Sequence, residues 1–387
     1  MKIQRSPIPQ ASGSSALDMI GKGAVLLSAA TALLPVAMPA HADLAPERGI
    51  VAFKYLDYSD WQPGDERIRV RAPSVMVMMP IAGAWSVSGT YTSDSVSGAS
   101  PAYHSRQLTS MEDLRRAIDL RLTHYMQRGT VTVGSSYSNE SDYISRGFSV
   151  QGTLSTEDKN TTFNAGMGVS NDDINPNNLA VVGEKKHVTD WIVGVTQILT
   201  VRDIVQLNLG YSKGNGYFSD PYKAFDERPR GRDHSTILLR WNHHVDQLGG
   251  SSHVSYRYYT DTYGIRAHTL ATEYAQPLAH GWTVTPLLRY YTQTAADFYL
   301  EALPNANGLP TFPDFNAKYY SEDQRLSEYG AFTVGMKVAK QLDENWTVDA
   351  KIEQYEQRSE WALNSGGSTG IAPFRYRSLQ FGISRRF

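Results

Sequence analysis

The chain has 387 residues, 39 acidic against 37 basic side chains, 23 tyrosines and no cysteine. The missing thiols exclude a disulfide framework, thiolate metal sites, covalently attached c-type haem and a cysteine nucleophile, and the slight acidity argues against a nucleic-acid surface. Past the amino terminus there is no run of eighteen apolar residues, which excludes membrane helices but not a β-barrel, whose apolar residues alternate with polar ones.

Residues 1–42 read as a cleaved signal peptide. Lys2, Arg5 and Lys22 precede an apolar stretch from 23 to 38, and Ala40-His41-Ala42 supplies a small-x-small cleavage site. Pro35 and Pro39 interrupt the stretch, which argues against an anchor helix. The expectation is export, with residues 43–387 forming one domain.

That domain resolves into about sixteen stretches of period-two alternation. They lie near residues 49–59, 67–79, 84–96, 113–126, 130–140, 145–155, 160–170, 188–199, 203–213, 234–245, 251–261, 266–278, 282–294, 326–341, 345–358 and 375–387. In the third, Trp85, Val87, Gly89 and Tyr91 share a face opposite Ser86, Ser88, Thr90 and Thr92; in the fourteenth, Phe332, Val334, Met336 and Val338 oppose Thr333, Gly335 and Lys337. Such strands suit one apolar and one wet neighbour. A soluble β-sandwich also alternates, but seldom needs this many strands.

The even-numbered connections are short, at 80–83, 127–129, 156–159, 246–250, 279–281 and 343–344. Most odd ones are long and rich in Gly, Pro, Asn and Asp, at 97–112, 171–187, 214–233, 295–324 and 359–374. The expected fold is therefore all-β: a transmembrane antiparallel up-and-down β-barrel with short periplasmic turns and long extracellular loops, in the outer membrane of a Gram-negative bacterium. Trp85, Trp191, Trp282 and Trp346 near strand starts and Tyr258, Tyr259, Tyr290, Tyr291 and Tyr355 at opposite ends mark the two lipid interfaces. Arg257-Tyr258-Tyr259-Thr260 recurs as Arg289-Tyr290-Tyr291-Thr292, each placing Arg and one Tyr inward. The last strand sets Leu379, Phe381, Ile383 and Phe387 on one face and resembles the C-terminal assembly signal of outer-membrane barrels; Arg385 departs from that pattern.

With the apolar face toward lipid, the lumen receives Arg115, Asp119, Arg121, Arg240, Arg257, Asp261, Glu273, Arg289, Lys337, Asp349, Lys351 and Glu353. These charges either conduct small polar solutes, with the arginines favouring anions, or pair across a filled barrel. His243 and His244 fall on opposite faces, so they form no joint metal site, and Asn171–Asn175 lacks the Gly and Glu of a helical calcium loop. Ser100, His104 and Asp94 lie close in sequence but without a GxSxG elbow, so no catalytic residue, cofactor site or metal site is expected.

Several strings carry a family resemblance: Arg48-Gly49-Ile50 with Phe53–Tyr58, Ser97-Gly98-Ala99-Ser100-Pro101 with Tyr103-His104, Ser219-Asp220-Pro221-Tyr222-Lys223 with Arg228-Pro229, and Ala295–Tyr299 containing Asp297. From about Arg48 to Phe387 the chain resembles the bacterial domain of unknown function family 3570. The resemblance implies an outer-membrane barrel in an envelope redox or metal-handling setting and transfers no catalytic residue. It singles out Ser97, Gly98, Pro101, Tyr103, His104, Asp220, Pro221, Tyr222 and Asp297 as candidate functional loop residues. The functional expectation is a channel or transporter for a small polar solute or ion. The alternatives are a non-conducting protein that holds a periplasmic or surface partner and, third, a membrane-embedded hydrolase. The partners expected are outer-membrane lipid, the solute and the barrel-assembly machinery, with no nucleic acid.

Overall fold

The computed structural model describes residues 45–101, 108–223, 225–301, 312–314, 316–363 and 366–387, with the backbone alone at 65, 97–101 and 108–112. The signal-peptide reading and the loop residues Tyr103 and His104 lie outside the described residues.

Alternation with exposed apolar residues on one face and polar ones on the other is the pattern of strands that separate lipid from water. The chain forms β1 (Ile50–Gln62), β2 (Asp65–Ile81), β3 (Trp85–Pro101), β4 (Leu108–Met126), β5 (Gly129–Asn139) and β6 (Tyr143–Ser155). There follow β7 (Thr161–Ile174), β8 (Glu184–Ile198), β9 (Asp203–Gly216), β10 (Asp226–Glu227), β11 (Gly231–Val245) and β12 (Gly250–Asp261). The last third gives β13 (Arg266–Pro277), β14 (Trp282–Gln293), β15 (Tyr320–Ser321), β16 (Tyr329–Gln341), β17 (Trp346–Arg358) and β18 (Phe374–Arg386). Sixteen of these close an antiparallel barrel in sequence order; β10 and β15 stand apart as a two-stranded ribbon. Closure joins β1 to β18 from Ile50↔Arg386 to Trp61↔Arg375, so no edge is left open in the wall.

The faces follow the sequence period. Val75, Val77 and Met79 on β2, Leu120 and Leu122 on β4, Phe332, Val334 and Met336 on β16, and Phe381 and Ile383 on β18 all point outward and are exposed. Their inward neighbours Ser74, Met76 and Met78, Thr333 and Ser378 are buried. At the short-turn end the outer face finishes in cation–aromatic pairs: Lys340 over Trp282 at 5.2 Å and Arg385 over Trp346 at 5.4 Å. Arg385 thus sits at the boundary of the apolar belt, where a guanidinium is tolerated.

Several stretches expected as loops are strand. β3 runs to Pro101, β7 to Ile174, β9 to Gly216, and β8 and β11 begin at Glu184 and Gly231. Ladder hydrogen bonds continue past the apolar belt because cross-strand charge pairs take over from lipid contact, as in Arg146–Asp173 at 2.6 Å between β6 and β7. Asn171–Asp173 therefore belongs to β7 rather than to a polar loop. The two-residue connection Pro63-Gly64 works because Pro63 fixes its own φ and Gly64 takes φ +89°.

Candidate functional site in the lumen

The two halves of the inner wall differ in side-chain size, and that difference makes the barrel hollow. On β5, β6, β7 and β9 the inward positions carry Gly134, Ser136, Ser145, Gly147, Ser149, Gly168, Ser170, Ser212 and Gly214, while β8 between them contributes Lys186, Val188 and Asp190. Small side chains cannot reach the barrel axis. Across from them, β17, β18 and β1 present Tyr355, Tyr376 and Tyr58, with Tyr355 stacked on Tyr376 at 4.6 Å and 12° and Tyr58 5.1 Å from Tyr376.

In the connection between β14 and β16, the described residues 294–301, 312–314 and 316–328 include segments that fold inward onto the barrel wall. Ala296 and Leu326, the latter 2% exposed, pack on the inward-facing Tyr259, Ala267, Tyr291 and Ala331. The wall residue Gln293 holds it by donating from Nε2 to the carbonyls of Arg325 and Ser327 at 3.0 and 2.7 Å. Within it β15 pairs with β10, which belongs to the connection between β9 and β11. The two connections are locked by charge. Arg228 donates to Asp226 at 2.8 Å and to Asp323 at 2.7 Å, and Arg325 donates to Asp220 at 3.0 Å and also to Asp323. Asp323 also caps the short 3-10 turn Gln324–Leu326 by accepting from Arg325 N. Burial alone would raise its pKa, but Arg325, Lys223 and Arg228 hold the carboxyl well below its usual 3.8. This inward-folded unit is the plug of the barrel.

Beneath the plug lies a cavity of about 680 Å³ lined by the Gly/Ser wall, Tyr355, Tyr376 and the plug itself. Eight basic and eight acidic side chains face it among the described residues. Much of this charge is already paired: Arg67 with Asp60 at 4.0 Å, Lys186 with Asp172 at 3.1 Å, and the plug ions with one another. Asp172 also accepts from Tyr143 and Ser145 at 2.5 and 2.6 Å.

All twelve expected luminal charges sit at inward strand positions, but they fall into separate groups. Asp119, Arg121 and Arg257 line the cavity. Arg115 is sealed against Asp94 at 2.7 Å, each residue 1% exposed, so Asp94 serves this ion pair, and Tyr103 and the catalytic candidate His104 lie outside the described residues. Asp261 accepts from Arg232 at 2.7 Å. Lys337, Asp349, Lys351 and Glu353 form a second cluster: Asp349 lies between Lys54 at 3.9 Å and Lys337 at 4.0 Å, and Lys351 meets Glu353 at 3.0 Å. Arg240 reaches Gln206 at 3.5 Å, Glu273 lies opposite His253 in the β12–β13 register, and Arg289 is buried. Of the loop candidates, Asp220, Pro221 and Tyr222 line the cavity, and Asp297 secures the plug through its N–H to the Tyr263 carbonyl at 2.9 Å. Ser97, Gly98 and Pro101 lie on β3.

Sequence reasoning missed Arg228, Asp323, Gln324 and Arg325, although Arg228 stood in a quoted string. The available signal was the alternation of charge in Asp226-Glu227-Arg228 and Glu322-Asp323-Gln324-Arg325, two short runs inside long loops. It also missed Lys54 and Asp60 on β1, where mixed apolar and polar residues blur the two faces. A further acidic group joins Asp113, Glu140 and Asp142, whose ligand atoms all lie within 4.8 Å of one another. Glu140, in the connection between β5 and β6, is pushed up to about 8 by burial and by its acidic neighbours, against the pull of Arg115.

Comparison with known proteins adds the following. The family model described as "Protein of unknown function (DUF3570)" matches residues 108–184 and 178–378. No curated protein matches the chain. A solved bacterial polysaccharide outer membrane secretin has a similar fold, with a TM-score of 0.53 at 8% identity over 88% of this chain and 98% of that one. The siderophore receptor PirA from Pseudomonas aeruginosa gives 0.43 at 7% identity over 89% and 81%, and Pseudomonas aeruginosa OccK9 (OpdG) gives 0.43 at 9% over 88% and 98%. The secretin likeness establishes the fold of outer-membrane barrels and nothing about cargo.

Proposed function

The chain belongs to the DUF3570 family, and from that premise we propose that it is an exported outer-membrane channel for small polar solutes, with a plug folded in from its long-connection end. The observation that carries this reading is the hollow beneath the plug: a barrel needing only to fill its interior would not line one side of it with glycine and serine from β5, β6, β7 and β9. Strand parity and the assembly-signal-like C-terminus support placing the short turns in the periplasm and the plug outside. The apolar outer belt commits the protein to lipid. No catalytic step is assigned, since Asp94 is engaged by Arg115.

Planar-bilayer recording with purified protein tests the reading. Discrete current steps are expected; absence of current both in the wild type and after shortening of the 294–328 connection would refute it. One observation favours partner-holding as a second reading. β4 extends beyond Arg116, its last residue paired with β5, so its backbone from Leu108 to Arg115 lies past the end of the β5 ladder. A co-purifying partner lost on trimming this hairpin, with no change in conductance, would support that role.

A further inference from the structure

We propose that Arg69, Ser59 and Arg377 form a binding site for the phosphomonoester headgroup of a lipid, on the outer wall of the barrel where β18 closes on β1. The site faces the membrane and is separate from the lumen and its plug.

Register places the three residues in one row. Ser59 on β1 is paired with Arg377 of β18 on one side and with Arg69 of β2 on the other, and it alternates with the buried Tyr58 and Asp60, so the row points outward. Neighbouring strands lie about 4.8 Å apart, which sets the two arginine Cα atoms about 10 Å apart over a residue too small to fill the space between them. The rows beneath fix the depth. Two rows down the same face are Phe381, Tyr55 and Pro73, and three rows down are Ile383, Phe53 and Val75. Phe381, Ile383, Phe53 and Val75 are exposed residues of the apolar belt, so the arginine row stands at headgroup level and a lipid held there lays its chains on the belt.

The surrounding ion pairs leave this row open to an anion. Asp57 is shared by Arg69 at 2.6 Å and Arg71 at 3.7 Å, so Arg69 can turn to a ligand without stranding the carboxylate. Glu66 acts on Arg69 from the next pair of the β1–β2 ladder. On the other side Glu356 is shared by Arg375 at 3.0 Å and Arg358 at 2.6 Å, and Arg358 also reaches Glu360 at 3.4 Å. Arg377 lies between these two groups, flanked in register by Gln354 and Ser59, and meets no carboxylate among the described residues. Every cation of the two groups is arginine, whose planar fork matches phosphate and whose weak hydration suits a membrane boundary. The row is also held in place from within. A register shift follows the Ser59–Arg69 pair, and Asp60 pins it from the lumen by accepting from Ile68 N at 3.1 Å.

Donor count selects the headgroup. Two guanidinium forks and a hydroxyl converge on the centre of the row. A phosphomonoester meets them with three free oxygens and a charge of about −1.5 to −2; a phosphodiester has one oxygen fewer and a single charge.

Native mass spectrometry in neutral detergent tests the site with dioctanoyl phosphatidic acid, dioctanoyl phosphatidylglycerol and inorganic phosphate as separate probes. The proteins are wild type, Arg69→Gln with Arg377→Gln, and Lys185→Gln with Lys213→Gln, which removes the same charge from exposed positions of β8 and β9 across the barrel. Phosphatidic acid is expected to bind wild type most tightly, with the arginine changes weakening it at least about tenfold and the lysine changes leaving it within about twofold. Heat-modifiable migration checks that each variant is folded, and Arg377→Gln alone, which breaks no ion pair, is expected to weaken binding in the same direction. Phosphatidylglycerol bound as tightly as phosphatidic acid would overturn the monoester assignment, and inorganic phosphate bound as tightly would overturn the lipid one. Equal weakening by the arginine and lysine changes, or none by either, would overturn the site itself and leave the channel reading untouched.

Discussion

Asp94 and Arg115 face each other across β3 and β4 with side chains about 2% exposed, and at that depth each charge is tolerable only because the other is present. Asp94→Ala is expected to cost about 3–5 kcal/mol, because an unpaired guanidinium remains buried. Replacing both, as in Asp94→Ala with Arg115→Met, should cost less than the single change. Heat-modifiable gel migration, read as the temperature of half-unfolding, checks this; equal loss in single and double variants would contradict it. At this scale the sequence revealed faces but not partners. Period two places Arg115 and Asp119 in the lumen, and Arg257 and Tyr259 with them, from spacing alone. Whether Arg115 meets Asp94 or solute depends on register, which spacing does not contain. Arg385, which breaks the pattern of the last strand, finds its explanation in Trp346, a contact across β17 and β18 that pairing creates.

Strands and connections were legible to different degrees. A strand repeats its signal every two residues, so sixteen could be recognised; their ends could not, since β7 and β9 run on past the apolar belt on charge pairs and ladder bonds. The plug has no period at all. Its fold depends on Arg228 and Asp323, 95 residues apart in sequence, and only the closed barrel brings them together. Asp323 also gives the plug a pH dependence. Its carboxyl is held well below 3.8 in the folded plug, so the stability it contributes is present above about pH 4 and is lost as pH falls further, through the depressed value. Current recorded from wild-type protein is therefore expected to rise as pH is lowered below 4, and Asp323→Asn should show raised current at neutral pH with that acid step removed. A wild-type current that falls on acidification would contradict the assignment. Glu140 acts in the opposite sense: with its pKa raised to about 8, it penalises the connection between β5 and β6 increasingly as pH rises from about 4.5 through 8.

For the whole molecule, the parity of the strands, the inside–outside alternation and the closure of β18 on β1 all followed from pattern and from the cost of an open edge in lipid. The asymmetry of the lumen was equally present in the sequence, as glycine and serine at alternate positions of β5, β6, β7 and β9, but it reads as weak strand propensity until the strands are closed into a ring. The central claim is that this ring is a conduit and that the 294–328 connection is what restricts it. The most direct measurement is single-channel conductance of wild type against Arg228→Ala combined with Arg325→Ala, which removes the cations holding Asp323 and Asp220. The account predicts larger or longer-lived openings in the double variant, with heat-modifiable migration intact. A correctly folded double variant that conducts no more than wild type would contradict it.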